Sequence, residues 1–70
     1  MFEATDLGVF NPYNDVFTEC YCGFECHFEK EKLISATLIE VISPSAVSMI
    51  DYLPADERLR LEEVFERDFQ

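Results

Sequence analysis

Three cysteines and a histidine lie close together in the sequence, and these residue types can bind zinc or act in nucleophilic catalysis. They are Cys20, Cys22, Cys26 and His27. Their Cys–x–Cys–x3–Cys–His spacing is not that of a standard structural zinc site. Alternate residues of a strand lie about 6.7 Å apart, whereas thiolates bound to one zinc ion at about 2.3 Å lie closer together. We therefore predict buried cysteines and no metal, with a small zinc module on Cys20, Cys22 and Cys26 kept as an alternative.

Enzymatic activity is not predicted from the remaining reactive groups. A cysteine nucleophile needs a base within about 3 Å that a third group orients, and His27 faces away from Cys26 if both lie in a strand. The carboxylate pairs within residues 56–68 are expected on a solvated helix face, whereas acid–base catalysis needs two groups with separated pKa values. The sequence also has no glycine-rich phosphate loop. We predict a protein that is not an enzyme and has no cofactor.

The cysteines belong to a segment, residues 16–29, in which apolar and polar residues alternate. This period of two predicts a half-buried strand. Its cysteine side should face the core, and its glutamate side should face solvent. Gly23 is expected to mark either a bulge or a break into two shorter strands.

The other elements follow from shorter patterns. Residues 33–42 are rich in β-branched residues and predict the partner strand, and residues 55–69 predict a helix that begins with proline and acids. Its buried stripe should be Leu61, Val64, Phe65 and Phe69. Residues 44–52 fit either a short helix or a strand.

The predicted fold class is α+β, with an antiparallel β-hairpin or small sheet packed against the C-terminal helix. Residues 1–70 should form a single small domain. Residues 1–15 are expected to be an irregular arm, because Gly8, Pro12 and the residues after Asn11 favour turns. Phe2, Phe10 and Tyr13 should anchor this arm on the core.

Charge bears most directly on function. Fifteen Asp and Glu against five Lys and Arg give a net charge of −10, and residues 1–29 contain no Lys or Arg. This composition disfavours direct binding to nucleic acid or to an anionic membrane, and it favours a basic protein surface as the partner. The alternative is that the charge only keeps a small, apolar-rich protein soluble. The absence of an apolar span and the odd number of cysteines favour a cytoplasmic protein.

Small size, acidity and a strand–strand–helix plan resemble the accessory proteins of phages and mobile elements. The resemblance covers residues 33–70 and includes the tail Asp51-Tyr52-Leu53-Pro54-Ala55-Asp56-Glu57-Arg58-Leu59-Arg60-Leu61-Glu62-Glu63. Proteins of that class often inhibit host nucleases, polymerases or defence complexes, including CRISPR effectors. The resemblance therefore implies an anti-CRISPR or anti-restriction type of inhibitor in the host cytoplasm.

The leading functional hypothesis is a non-enzymatic inhibitor that blocks a basic, nucleic-acid-binding surface of a host complex. The residues expected to bind the partner are Glu19, Tyr21, Glu25, Glu29 and Asp15. The three glutamates are spaced by about 20 Å and 13 Å along a strand, whereas a DNA strand carries a charge about every 3.4 Å. This row alone is too sparse to imitate DNA. DNA mimicry would need acids of the arm or of the helix to fill the gaps. A second hypothesis is a homodimer or accessory subunit that pairs through an apolar second strand, with Leu33, Ile39 and Val41 on its outer side.

Overall fold

The computed structural model describes residues 1–69 and consists of a three-stranded antiparallel sheet packed against one C-terminal helix. The elements are β1 (Phe2–Asn11), β2 (Val16–Glu29), β3 (Lys32–Ile42), a 3-10 turn (Ile50–Tyr52) and α1 (Ala55–Phe69). The strands lie side by side in chain order, with β2 in the centre. The predicted α+β fold class, with a sheet against the C-terminal helix, is confirmed. Within residues 1–69, the helices are too short or too polar to span a bilayer.

The N-terminal segment is strand β1, so the prediction of an irregular arm over residues 1–15 is wrong. Gly8 lies inside the strand, and the neighbouring Val9 is fully buried. The turn formers act only after Asn11, whose side chain accepts a hydrogen bond from the Tyr13 N–H. Tyr13 is 79% exposed and does not anchor the segment. The short alternation that ends at Val9 therefore outweighs the turn preference of Gly8.

Strand β2 has the two-sided character that its sequence predicts. Cys20, Cys22 and Phe24 are buried beneath α1, while the glutamates of the strand are exposed on the opposite side. The Phe24 ring stacks on Phe65 of α1 with ring centroids 4.2 Å apart. Burying an aromatic side chain of this kind stabilises the fold by about 1.5–3 kcal/mol. This stack joins the helix to the central strand, and the fully buried Leu61 belongs to the same core cluster.

Strand β2 is not broken at Gly23, and the bulge expected there lies in the partner strand, where Ile39 is the extra residue opposite Gly23 and Phe24. The pairing of β2 with β3 shifts register between Gly23 and Phe24, and again between His27 and Phe28. Gly23 lies on the side of the sheet away from α1 but is buried, because the Phe2 ring covers it. A Cβ atom at Gly23 would lie 2.6 Å from Cζ of Phe2. An aromatic ring on the neighbouring strand therefore covers a glycine that would otherwise be exposed.

Residues 44–52 contain a short piece of each of the two expected elements, a β-bridge at Ser48 and a 3-10 helix over Ile50–Tyr52, and no continuous element. A turn brings the chain back along β3, with a single bridge between Ile42 and Ser48 and a hydrogen bond from Met49 N–H to Val41 O. The 3-10 turn then leads into α1. This return covers the C-terminal part of the β3 edge.

The residues exposed on the outer side of β3 differ from those that the second functional hypothesis predicts. Val41 is fully buried, and Leu33 packs against the core. Of the three residues expected on the outer side, only Ile39 is exposed. The register shifts explain the error, because each one exchanges the faces on which later residues of the strand lie.

Helix α1 buries Leu61 and Phe65 as predicted, whereas Val64 is half-buried and Phe69 is 44% exposed. Phe69 nevertheless contacts Phe28, with ring centroids 5.4 Å apart. The buried Glu57 was not expected, because a carboxylate in the first turn of a helix is usually placed in solvent.

Three helix glutamates, which we call the edge carboxylates (Glu57, Glu62 and Glu66), bind backbone N–H groups at the two edges of the sheet. At the β3 edge, Glu62 accepts from Leu38 at 2.7 Å and Glu66 accepts from Ala36 at 3.2 Å. The prediction of a solvated helix face is therefore wrong for these residues. Pairing the edge N–H groups within the chain removes positions to which another strand would bind.

At the β1 edge, Glu57 and Arg60 act together. Glu57 accepts from the Phe10 N–H at 2.9 Å and from both Nε and a terminal nitrogen of Arg60, which in turn donates to the Gly8 carbonyl at 2.8 Å. Burial alone would raise the pKa of Glu57. The hydrogen bonds from Arg60 and Phe10 and the charge of the guanidinium outweigh it and lower the pKa below its ordinary value.

The cover of Gly23 by Phe2 predicts opposite effects of two alanine substitutions. Gly23→Ala should lower the free energy of unfolding by about 1–2 kcal/mol, because the new methyl group must displace the ring. Gly8→Ala is the matched control. The Cβ of an alanine there would lie 4.0 Å from Cδ1 of Phe17, an ordinary van der Waals contact. The free energy of unfolding of this variant should therefore rise by about 0.5 kcal/mol. Urea unfolding compares them. Equal stability of the two variants would contradict the contact between Phe2 and Gly23. In a Phe2→Ala background, the difference in stability between the two variants should disappear.

Glu57→Gln should lower the free energy of unfolding by about 1–3 kcal/mol at neutral pH, because a charged, buried hydrogen-bond acceptor is lost. The folded-state pKa of Glu57 is lowered, so its contribution is present above the unfolded-state pKa and is lost as the pH falls through the folded-state pKa. The stability difference between wild type and variant should therefore shrink in acid. The exposed Glu63→Gln is the control in urea unfolding from about pH 7 to pH 3. A difference that stays constant with pH would refute this role of Glu57.

Candidate functional site

Within residues 1–69, no helix packs on the side of the sheet opposite α1, which we call the outer face. Residues paired in an antiparallel register share a face, so the pairing defines its members. They are Phe2, Ala4, Asp6, Gly8 and Phe10 of β1, then Phe17, Glu19, Tyr21, Gly23, Glu25, His27 and Glu29 of β2, and Lys32, Ser35, Thr37, Glu40 and Ile42 of β3. Aromatic rings and carboxylates predominate on this face.

The outer face brings two carboxylates beside the predicted glutamates of β2. Asp6 of β1 pairs with Tyr21, and Glu40 of β3 pairs with Gly23. Going along the sheet from Glu19 to Glu25, each successive level therefore carries one carboxylate, with a step of about 6.7 Å. Asp6 was not predicted to belong to the site because no strong pattern predicts β1, and Glu40 was not predicted because a bulge sets its register.

The centre of the outer face combines charge with an aromatic surface. Asp6, Glu19 and Tyr21 line one depression of about 420 Å³ together with residues 42–44 at the end of β3. Tyr21 is 39% exposed, so part of its ring is available for contact. An aromatic side chain flanked by carboxylates suits the aliphatic stem and the charged end of a lysine or arginine.

Of the other predicted residues, Glu29 and Asp15 lie nearer the ends of the outer face, whereas Glu25 lies in its central part and has a charged partner. Glu29 pairs with Lys32 and lies 3.7 Å from His27. Glu25 forms an ion pair with the Met1 ammonium group at 3.1 Å, but both groups are more than half exposed, so the pair is weak. Asp15 is exposed in the β1–β2 turn, at the opposite end of β2 from Glu29. The structure therefore brings Glu19, Tyr21 and Glu25 to the central part of the face and places the other two at its ends.

The arginines near the sheet bind groups other than the central carboxylates of the outer face. Arg58 donates to the carbonyls of Ile50 and Leu53. Arg60 pairs with Glu57, and its guanidinium lies 5.5 Å from the centroid of the Phe17 ring at one end of the outer face. The ion pairs formed within residues 1–69 thus leave Asp6, Glu19 and Glu40 without a basic side-chain partner.

The three cysteines lie on the opposite side of β2, inside the core. Each sulfur is directed to the backbone carbonyl two residues earlier in the chain, as in the 3.6 Å contact from Cys22 to Cys20 O. Burial raises the pKa of the Cys20 and Cys26 thiols and raises that of Cys22 to about 11. In the part of the chain that the structure describes, no group of three His, Cys, Asp or Glu side chains is arranged to hold a metal ion.

A second concave region lies at the end of the sheet near the start of α1. It has a volume of about 600 Å³ and is lined mainly by apolar residues of the β1–β2 turn and of residues 43–53. Tyr13 and Tyr52, both exposed, stand at this groove. It lacks the charged groups that characterise the outer face.

Comparisons with protein-family models, with curated proteins and with solved structures found no match for this chain. The fold and the outer face are therefore interpreted from their own geometry and charge.

The raised thiol pKa values predict slow alkylation in the folded protein. Cys22 has its pKa raised from 9.0 to about 11, so its thiolate population should fall about a hundredfold near neutral pH. Iodoacetamide labelling followed by peptide mass spectrometry should show Cys22 reacting at least about a hundredfold more slowly in buffer than in urea. Equal rates in the two solvents would contradict the burial of this side of β2.

Proposed function

We propose that this chain is a non-enzymatic binding protein whose outer face occupies a basic, nucleic-acid-binding surface of a host complex and thereby inhibits it. It would act in the cytoplasm, as an inhibitor of the anti-CRISPR or anti-restriction type. The observation that carries the proposal is the uncovered face with Asp6, Glu19 and Glu40 grouped around Tyr21.

Charge placement supports a protein partner of positive charge. The central carboxylates lack basic partners within the described part of the chain, while the net charge of the whole chain is −10. A negative surface of this kind accelerates association with a basic groove and repels nucleic acid. Because the charges are exposed, binding should weaken as salt screens them over about 10 Å.

The aromatic residues of the outer face supply the second component of binding. Tyr21 lies in the centre of the acidic group, and Phe17 is largely exposed nearer the end of β2. Aromatic side chains at the centre of an interface commonly account for much of the binding energy, whereas rim charges mainly set association rate and specificity. Tyr21 is therefore the anchor in this proposal, and Glu19, Asp6 and Glu40 orient the partner.

The carboxylate spacing bears on how far the protein imitates DNA. Along the sheet, one carboxylate occurs at about every 6.7 Å between Glu19 and Glu25. One strand of duplex DNA carries a charge about every 3.4 Å along its axis. The outer face thus offers about half that charge density. A charge density this low favours competition for a few phosphate-binding side chains of the partner, and it disfavours imitation of a whole duplex.

Charge reversal at Glu19 tests the proposal. The host partner, once identified by affinity capture and mass spectrometry, should bind Glu19→Lys at least about tenfold more weakly than wild type, with a smaller dependence of affinity on salt. Displacement of labelled DNA from that partner should weaken in parallel. Fluorescence anisotropy at two or more salt concentrations measures both effects.

Glu63→Lys is the matched control, because it makes the same change of charge at an exposed position of α1. It should retain most of the affinity. Equal losses for Glu19→Lys and Glu63→Lys would mean that net charge alone determines binding. Unchanged binding and salt dependence after reversal of Glu19, Glu25 and Glu29 together would refute a role for the outer face.

A further inference from the structure

The N-terminal half of the β1 edge presents backbone groups that face away from the sheet. Met1 and Cys26 exchange two backbone hydrogen bonds, which sets the alternation along the strand. Odd-numbered residues of β1 therefore bond to β2, and the N–H and C=O groups of even-numbered residues point outward. The hydrogen bonds of Gly8 and Phe10 to the helix side chains follow the same alternation.

The outward backbone groups are not covered equally along the two edges. At the β3 edge, the N–H groups of Ala36 and Leu38 bind helix carboxylates, and residues 41–43 bond to the returning segment 47–49. At the β1 edge, the hydrogen bonds from helix side chains within residues 1–69 are those at Gly8 and Phe10. Ala4 and Asp6 are exposed, and their backbone groups face outward. Such an edge can accept another strand.

The side chains beside this open edge are acidic on both sides of the sheet. Glu3 and Asp6 lie on opposite sides of β1, and Asp68 approaches from the last turn of α1. With Phe65 and Phe69 they line a depression of about 330 Å³ along residues 3–7. The acids and the carboxyl end of the helix favour positive charge there, and the aromatic rings favour apolar side chains.

We propose that the β1 edge at residues 2–7 binds an extended segment of another protein, rich in alternating basic and apolar residues, as a fourth strand of the sheet. Backbone groups of Ala4 and Asp6 supply the hydrogen bonds. Alternate residues of the added strand lie on opposite sides of the sheet. Its basic side chains pair with Asp6 on the outer face, since opposite charges on neighbouring strands stabilise a sheet. Its apolar side chains lie on the other side, beside Phe65 and Phe69. A second copy of this chain is disfavoured, because each copy carries a net charge of −10 and the acids of β1 would face one another.

This site uses the backbone edge of β1 and shares only the Asp6 side chain with the proposed contact through the outer face, and the two are separated experimentally. The probe is a synthetic peptide of alternating lysine and valine, added to the 15N-labelled full chain at low salt. Nuclear magnetic resonance should show slower exchange of the Ala4 and Asp6 amide protons and shift changes in β1. The amides of Ala36 and Leu38 should remain unaffected. The corresponding glutamate–valine peptide should not bind.

Ala4→Pro provides the decisive variant. Proline removes an outward N–H group that takes no part in the sheet, and edge positions tolerate it. Affinity for the lysine–valine peptide should fall at least about tenfold, while Ala4→Val, which retains the N–H group, should bind as wild type does. Unchanged far-ultraviolet circular dichroism and an unchanged unfolding midpoint verify that the proline variant is folded. Should it unfold, Asp6→Lys replaces it and should also weaken binding about tenfold.

Four outcomes would overturn the proposal. The first is that the amide protons of Ala4 and Asp6 show no protection from exchange at millimolar peptide, and the second is that the glutamate–valine peptide binds as well as the lysine–valine peptide. The third is that shift changes are confined to residues around Glu19 and Tyr21, and the fourth is that the chain associates with itself through β1. The third outcome would overturn the edge site while supporting the outer face. Glu19→Lys, which should leave peptide binding at β1 unchanged within about twofold, separates the two sites in the same assay.

Discussion

A single helix covers a three-stranded sheet, and this packing constrains the other features of the molecule. The contact depends on the inner side of β2, where Cys20, Cys22 and Phe24 lie beneath Leu61 and Phe65. A small chain buries limited apolar surface and cannot cover both faces of a sheet. The opposite face is therefore left to solvent or to a partner. Its carboxylates and exposed rings follow from the same alternation that places the thiols inside.

The helix also determines which edges of the sheet are open. The edge carboxylates hold backbone N–H groups on both outer strands, so part of the acidity of the chain is structural. The acidic residues therefore have two roles, which composition alone does not distinguish. Glu57, Glu62 and Glu66 bind within the chain, whereas Asp6, Glu19 and Glu40 face outward without a basic side-chain partner among the ion pairs of residues 1–69. The net charge of −10 therefore overstates the charge available to a partner.

The sequence was sufficient to predict elements with a strong period and insufficient for contacts that depend on register. The alternation of residues 16–29 predicted the strand and both of its faces, and the apolar spacing of residues 55–69 predicted the helix. Strand β1 was missed because Gly8 and the turn formers after Asn11 outweighed a short alternation. Asp6 and Glu40 joined the candidate site only through pairing with β2. Hydrogen bonds from helix glutamates to strand edges join residues distant in sequence, and no local pattern indicates them.

Amide hydrogen exchange measured residue by residue tests most directly whether the helix closes the sheet edges and leaves the start of β1 open. The N–H groups of Phe10, Ala36 and Leu38 should exchange slowly, as those between the strands do, although they lie on outer strands. Exchange at Ala4 and Asp6 should be fast. Fast exchange at all five positions would show that the helix glutamates do not hold the edges. Slow exchange at Ala4 and Asp6 in the free monomer would show that the β1 edge is already covered.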